Sequence, residues 1–234
     1  MTGAMKAALN EGLRDLPICV DDATADKLCA FGEAMVRQNE VMNLTAITEP
    51  AQVAKLHLLD SLTVLCAAEL SGKRLIDVGC GAGFPGVPIA VAAKECRVTL
   101  LDSLGKRMAW LEDILPRLGI SAACVTARAE EYAAREREQY DYATSRAVAR
   151  LNVLLELTAP FVKVGGAVLA MKGAAAREEL AEAKSAIAKL GLKTEKVLDF
   201  DIDGATHSVI VLRKVKPTPA QYPRRFAKIK QAPL

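Results

Sequence analysis

Two acids and a set of closely spaced glycines define the chemistry open to this 234-residue chain. The stretch Leu75-Ile76-Asp77-Val78-Gly79-Cys80-Gly81-Ala82-Gly83-Phe84-Pro85-Gly86 runs an apolar segment carrying an acid into glycines on alternate positions. A second apolar segment, Val98-Thr99-Leu100-Leu101, ends at Asp102. A strand, a glycine turn opening a helix and an acid at the end of the next strand make the nucleoside-binding half of a doubly wound α/β domain. The turn lets backbone approach a ligand because glycine has no Cβ, and Asp102 can accept hydrogen bonds from both ribose hydroxyls. An adenosine-containing cofactor is the expectation.

Gly81, Gly83 and Gly86 also fit G-x-G-x-x-G, which would set a pyrophosphate on the N-terminus of the following helix. Asp77 opposes that reading. A carboxylate at the mouth of the turn repels a pyrophosphate but suits the ammonium or sulfonium of S-adenosylmethionine. The acid-first spacing Asp77-x-Gly79-x-Gly81-x-Gly83 also follows S-adenosylmethionine sites. An NAD-dependent oxidoreductase is the disfavoured alternative, and a methyltransferase acting on another RNA or a small molecule is the nearer one.

Net charge is +3, unevenly spread. From Gly204 onward there is no Asp or Glu but seven cations, Arg213, Lys214, Lys216, Arg224, Arg225, Lys228 and Lys230, leaving 24 basic against 28 acidic side chains before it. An acidic body with a basic tail suits a polyanion, because phosphate neutralisation releases counterions. Arg224, Arg225 and Lys172 are the expected RNA-phosphate contacts. Six cysteines without a C-x-x-C pair read as buried apolar residues of a reducing compartment, not as a metal site. No transmembrane span or signal peptide is legible, so the expectation is a soluble, cytoplasmic, monomeric protein with no metal.

Hydropathy patterning divides the chain into a helical extension (1–70), an α/β domain (71–216) and a basic C-terminal tail (217–234). Strands are expected at 74–79, 97–102, 122–127, 140–145, 167–172, 194–200 and 207–213. Helices are expected near 85–94, 106–117, 151–164 and 177–190. No helix fits between the last two strands, so a mostly parallel seven-stranded sheet should end in an antiparallel hairpin. That is how class I S-adenosylmethionine methyltransferases finish. Asp21 and Asp22 can cap one helix, and Glu49-Pro50 opens another. His57 and His207 read as packing residues, and Trp110 as core.

Asn43-Leu44-Thr45-Ala46-Ile47-Thr48, His57-Leu58-Leu59-Asp60-Ser61-Leu62, the run 77–88, Ser145-Arg146-Ala147 and Tyr222-Pro223-Arg224…Pro233-Leu234 resemble bacterial small-subunit ribosomal RNA methyltransferase G, the glucose-inhibited division protein B family. The resemblance implies methyl transfer from S-adenosylmethionine to N7 of one guanosine, number 527, of 16S ribosomal RNA, within the small subunit or its precursor. It further implies that Gly79 and Phe84 contact the cofactor, Asp102 and Ser103 take the ribose, Ala129 and Glu130 flank the adenine, and Arg146 stands at the reacting end as the catalytic candidate. Arg146 could hold guanine O6, a phosphate or the methionine carboxylate, or could cap the strand end. Two departures stand out: Val148-Ala149-Arg150-Leu151 carries an arginine where the family is commonly uncharged, and 228–234 is less basic than usual.

Overall fold

A strand covered by helices on both faces is apolar nearly throughout, and β1 (Arg74–Val78) is buried at every position after Arg74. In the computed structural model, which describes residues 2–146 and 149–234, β1 pairs in parallel with β2 (Arg97–Asp102) on one side and β4 (Tyr140–Arg146) on the other. β3 (Ala123–Thr126) extends the β2 edge, and β5 (Val162–Lys172) follows β4. β7 (Ala205–Lys214) pairs antiparallel with β5 and carries β6 (Leu192–Ile202) on its outer edge. The order among the described residues is β3-β2-β1-β4-β5-β7-β6. The expected terminal hairpin is therefore present. Strand order reverses between β1 and β4, and ligands of such sheets bind beyond the carboxyl ends of the strands at that point.

Alternation along β1 divides the core into two layers. Leu75 joins a cluster holding Met5, Leu28, Phe31, Val53, Leu62, Val87 and Leu111. Ile76 joins another holding Leu154, Phe161, Ile187, Tyr222 and Ile229. The first layer consists of α1 (Thr2–Leu13), α2 (Asp22–Met42), a helical run from Pro50 to Cys66, α5 (Gly86–Ala92) and α6 (Gly105–Arg117). The N-terminal extension thus shares a continuous core with the sheet. Asp21 caps α2 by accepting from Thr24 N–H at 2.7 Å, and Glu49 caps α3 (Pro50–Val53) by accepting from Gln52 N–H at 2.8 Å. The run from Pro50 continues through a π-helical turn, Ala54–Leu59, into α4 (Asp60–Leu62) and a 3-10 turn, Thr63–Cys66. The second layer holds α7 (Ala129–Tyr132), α8 (Leu151–Thr158), α9 (Ala176–Glu182), α10 (Lys184–Lys189) and α11 (Phe226–Gln231).

Two expectations need correction. The helix expected over 151–164 stops at Thr158, because Pro160 lacks an N–H and tightens Ala159–Phe161 into a 3-10 turn. β5 accordingly starts at Val162 rather than 167. The basic tail packs on the domain: Arg137 donates to the carbonyls of Thr218, Pro219 and Tyr222, and Tyr222 and Ile229 are buried in the second layer. Ala147 of the Ser-Arg-Ala block, and Val148 after it, lie outside the described residues. Among the described residues no helix is long and apolar enough to cross a membrane.

Candidate active site

The glycine turn is built by backbone bonds that start on β2. Gly79 and Cys80 N–H both donate to Leu101 O, at 2.7 and 3.1 Å, and Gly83 and Phe84 N–H donate to Cys80 O. Gly81 adopts φ +57°, and a Cβ there would meet only the Arg107 guanidinium at 3.8 Å, so the turn leaves space for a ligand instead of a side chain. Gly86 is required for a different reason: its Cβ would fall 2.3 Å from Leu100 Cδ2 and 2.8 Å from Asp77 Oδ2.

Asp77 therefore needs correction as a cofactor contact. It is fully buried, its Oδ2 accepts from Gly86 N–H at 2.7 Å, and it does not line the cleft. Its Oδ1 has no hydrogen-bond partner. Burial, reinforced by the charge of Asp102, pushes its carboxyl up to about 7 against the pull of Gly86 N–H and Arg146. Its place is behind the turn, fixing the start of α5.

The remaining sequence-predicted cofactor residues converge. Gly79, Gly81, Phe84, Asp102, Ser103, Ala129, Glu130 and Arg146 all line one cleft of ≈ 460 Å³ beyond the carboxyl ends of β1, β2 and β4. That is an ordinary size for a small-ligand site. Asp102 Oδ2 accepts from Gly81 N–H and Oδ1 from Leu104 N–H, both at 2.9 Å. A carboxylate offers about four acceptor positions, so both oxygens keep capacity for a diol. The residues fit an adenosine-type ligand. Among the described residues no cluster of three His, Cys, Asp or Glu is placed to hold a metal ion.

At the far end of the cleft stands a network that sequence reasoning did not assemble. Arg146 donates from Nη1 to Leu56 O at 2.8 Å and to Asp60 Oδ2 at 2.9 Å, and from Nη2 to His57 Nδ1 at 3.2 Å. His57 Nε2–H then donates to Thr45 Oγ1 at 2.9 Å, since Nδ1 is already an acceptor. His57 stacks on Phe84 with ring centroids 4.9 Å apart, and the Arg146 guanidinium lies 5.2 Å from the same ring centre. His207 Nδ1 completes the chain on Asp60 Oδ1 at 2.8 Å. The π-turn is what brings Leu56 O and His57 to the arginine together; such turns recur at functional sites.

The two histidines are driven in opposite directions. Burial, with the Arg146 charge beside it, lowers His57 to about 4, so it is neutral at neutral pH. The hydrogen bond to Asp60 raises His207 above its ordinary value. Burial alone would raise Asp60, yet the His207 hydrogen bond and Arg146 together hold its carboxyl below the usual range.

A second cavity, ≈ 650 Å³, shares His57 and Arg146 as a wall with the cleft and is also lined by Met171, Lys172, Glu179 and His207. Two expected RNA contacts are corrected by their partners. Lys172 is only 6% exposed and is held by Glu179 Oε2 at 2.8 Å and Ala149 O at 2.5 Å, because the end of β5 is closed by α9. Arg224 is locked to Glu156, a carboxylate with 0% exposure, through Nε at 2.8 Å, Nη2 at 2.6 Å and its own backbone N–H at 2.9 Å. The buried charge must be paired, so the arginine is committed to the fold. Arg225 is exposed and makes no salt bridge among the described residues. Sequence reasoning missed Thr45, Arg107 and Phe226 as cleft walls. Trp110 is buried and stacks on Phe31 as core, as expected.

Comparison with known proteins agrees with this geometry. A solved structure of M. jannaschii TYW2 in complex with AdoMet matches with TM-score 0.55 and 15% identity over 68% of this chain and 76% of that one. A mutant of the 16S rRNA (adenine(1408)-N(1))-methyltransferase from Catenulisporales acidiphilia, with cosubstrate SAM, matches with TM-score 0.54 and 18% identity over 63% and 87%. Both likenesses concern the fold alone. The GidB family model, described as rRNA small subunit methyltransferase G, matches residues 24–208. The chain is 43% identical over 226 residues to Ribosomal RNA small subunit methyltransferase G of Alkaliphilus metalliredigens, covering 94% of this chain and 95% of that one. It is 40% identical over 234 residues to the protein of that name from Leuconostoc citreum, covering 97% and 98%. The chain belongs to the rRNA small subunit methyltransferase G family.

Proposed function

We propose that this chain transfers the methyl group of S-adenosylmethionine to N7 of one guanosine in 16S ribosomal RNA, number 527 by family likeness. Its substrate is the small ribosomal subunit or its precursor, and it acts as a single chain in the bacterial cytoplasm. Small-subunit ribosomal RNA methylation is the activity of its family. The observation that carries the finer reading is the wall of Arg146 and His57 standing between two cavities, one ending at Asp102 and the other large enough for a base.

S-adenosylmethionine supplies an electrophilic methyl on a sulfonium. Asp102 and Ser103 would hold its ribose, Ala129 and Glu130 its adenine, and Gly79 and Phe84 its methionine side. Guanine N7 has a free lone pair and no proton, so the acceptor needs no general base. The residues present suit that requirement. His57 is neutral but has both ring nitrogens engaged, by Arg146 and by Thr45, and so serves as a fixed wall. Rate enhancement then rests on approach and alignment, with fixed dipoles near the transferring group stabilising the charge that moves on to the purine. Arg146 holds the wall through Leu56 O, Asp60 and His57. A residual face of its guanidinium toward the cleft would hold guanine O6, a phosphate or the methionine carboxylate.

Incubation with methyl-labelled S-adenosylmethionine and small ribosomal subunits, followed by mapping of the modified nucleotide, tests the proposal. Label is expected on one guanosine of 16S ribosomal RNA. Label on another base, or transfer to small molecules only, contradicts it.

A further inference from the structure

The tail returns to the cofactor cleft at one residue, Phe226. This half-buried ring, the first residue of α11, lines the cleft together with Leu157, Ala129 and Glu130. The neighbouring surface depression is likewise shared between Arg128, Glu130 and Glu131 and the segment from Pro223 to Gln231, so the tail borders this end of the cleft. The opposite end holds Arg146, His57 and Phe84. We propose that the C-terminal tail supplies, through Phe226, the aromatic wall of the adenine end of the cofactor cleft. The inference rests on the S-adenosylmethionine reading above and extends it to an element outside the α/β core.

The chemistry of the two ends differs in the required sense. Adenine is a flat ring with two apolar faces and an exocyclic amino group. Phe226, Leu157 and Ala129 offer apolar surface, and Glu130 offers an acceptor. Phe84 does not fill the same role. It is 5% exposed, with His57 stacked on it, Arg146 beside its ring and Phe31 tilted against it at 5.4 Å. No ring or cation among the described residues is paired with Phe226 in this way. Stacking of a base on an aromatic side chain is among the stronger sequence-independent contacts available to a nucleoside.

Phe226 is also held in place. Two residues before it, Arg224 makes three hydrogen bonds to the buried Glu156 on α8, the helix that carries Leu157. Three residues after it, Ile229 is fully buried in the second core layer. The Arg137 clamp on Thr218, Pro219 and Tyr222 fixes the approach of the chain. A ring fixed from both sides before the ligand arrives loses little freedom on binding.

Calorimetric titration of Phe226→Ala, Phe226→Leu and Phe226→Tyr with S-adenosylhomocysteine and with 5′-methylthioadenosine tests the inference. The second ligand keeps the adenosine but lacks the amino-acid end. The alanine variant is expected to weaken both ligands by the same factor, on the order of tenfold. Tyrosine should stay within about twofold of the parent, and leucine, which keeps apolar bulk without a ring, should lose several-fold. Ligand-free denaturation midpoints of the leucine and tyrosine variants, expected close to the parent, separate a contact effect from unfastening of the tail. Unchanged affinities in the alanine variant, a loss confined to S-adenosylhomocysteine, or parent-like binding by the leucine variant would each overturn the assignment. A parent protein that binds neither nucleoside would instead contradict the cofactor reading beneath it.

Discussion

The two ends of the cofactor cleft are built by opposite strategies. The glycine turn and Asp102 form a local device: strand, turn and following acid lie within one short stretch of chain, and backbone N–H groups do most of the shaping. The Arg146 end draws single side chains from four distant segments, Thr45, His57 with Asp60, Arg146 and His207, and depends on charges being paired out of water. A local device of this kind should fail in binding when altered. A dispersed, buried one should fail first in folding.

The sharpest way to break that contrast is Arg146→Ala. Arg146 is 18% exposed and Asp60 6%, so removal takes the permanent cation from a buried carboxylate and leaves it His207 alone. A loss of about 3–5 kcal/mol of folding stability is expected by chemical denaturation. Arg224→Ala should destabilise by a similar amount through Glu156, without touching the Arg146–His57 wall. Stability within 1 kcal/mol of the parent in both variants would mean that these arginines serve ligands and not the fold.

At the other end, Asp102→Ala should leave the fold largely intact but weaken S-adenosylhomocysteine, since each charge-assisted hydrogen bond contributes about 1.5–3 kcal/mol. Calorimetry checks this. Unchanged affinity would remove Asp102 from the ribose site.

A smaller effect separates the two histidines by pH. His57, lowered to about 4, excludes a proton that the unfolded chain binds, so its contribution is complete above pH 6.5 and declines as pH falls from 6.5 toward 4. The slope is at most about 1.4 kcal/mol per pH unit. His207, raised by Asp60, contributes fully below pH 6.5, and its share is lost as pH rises through its elevated value. The stability difference between parent and variant should therefore change between pH 6.5 and 4 for His57→Gln and above pH 6.5 for His207→Gln, the opposing contribution of Asp77, raised to about 7, being common to parent and variant and cancelling. Identical curves for the two variants would contradict the assigned directions.

The smallest expected effect lies on the surface. Arg225→Ala should flatten the slope of log RNA affinity against log salt by about one unit, the share of a single phosphate contact. Arg224→Gln, whose parent side chain is already paired with Glu156, should leave that slope unchanged.

What the sequence made legible follows the same division. The sheet, its closing hairpin, the glycine turn and Asp102 are local patterns, readable because glycine spacing and strand-end acids are written within one segment, whereas Phe84, Ser103, Ala129 and Glu130 come from the family resemblance. Asp77 departs from its expected role because its carboxylate turns inward to Gly86 N–H at the start of α5, a pairing that spacing does not encode. Lys172 and Arg224 looked like free cations since their partners, Glu179 and Glu156, are distant or on another helix. His57 sits on a π-turn that shifts its direction relative to ordinary helical periodicity. The blocks around Asn43 and His57 marked the family, but only the fold brings them to Arg146.

The central claim is that the acceptor is a nitrogen with no proton to lose, guanine N7. Its most direct test is methyl transfer to 16S ribosomal RNA in which the target guanosine is replaced by 7-deazaguanosine, with RNA binding measured in parallel. The account predicts that transfer is abolished while binding is retained, because only the nucleophilic atom has changed. Continued methylation of the substituted RNA would place the acceptor on an exocyclic or ribose atom and contradict the mechanism.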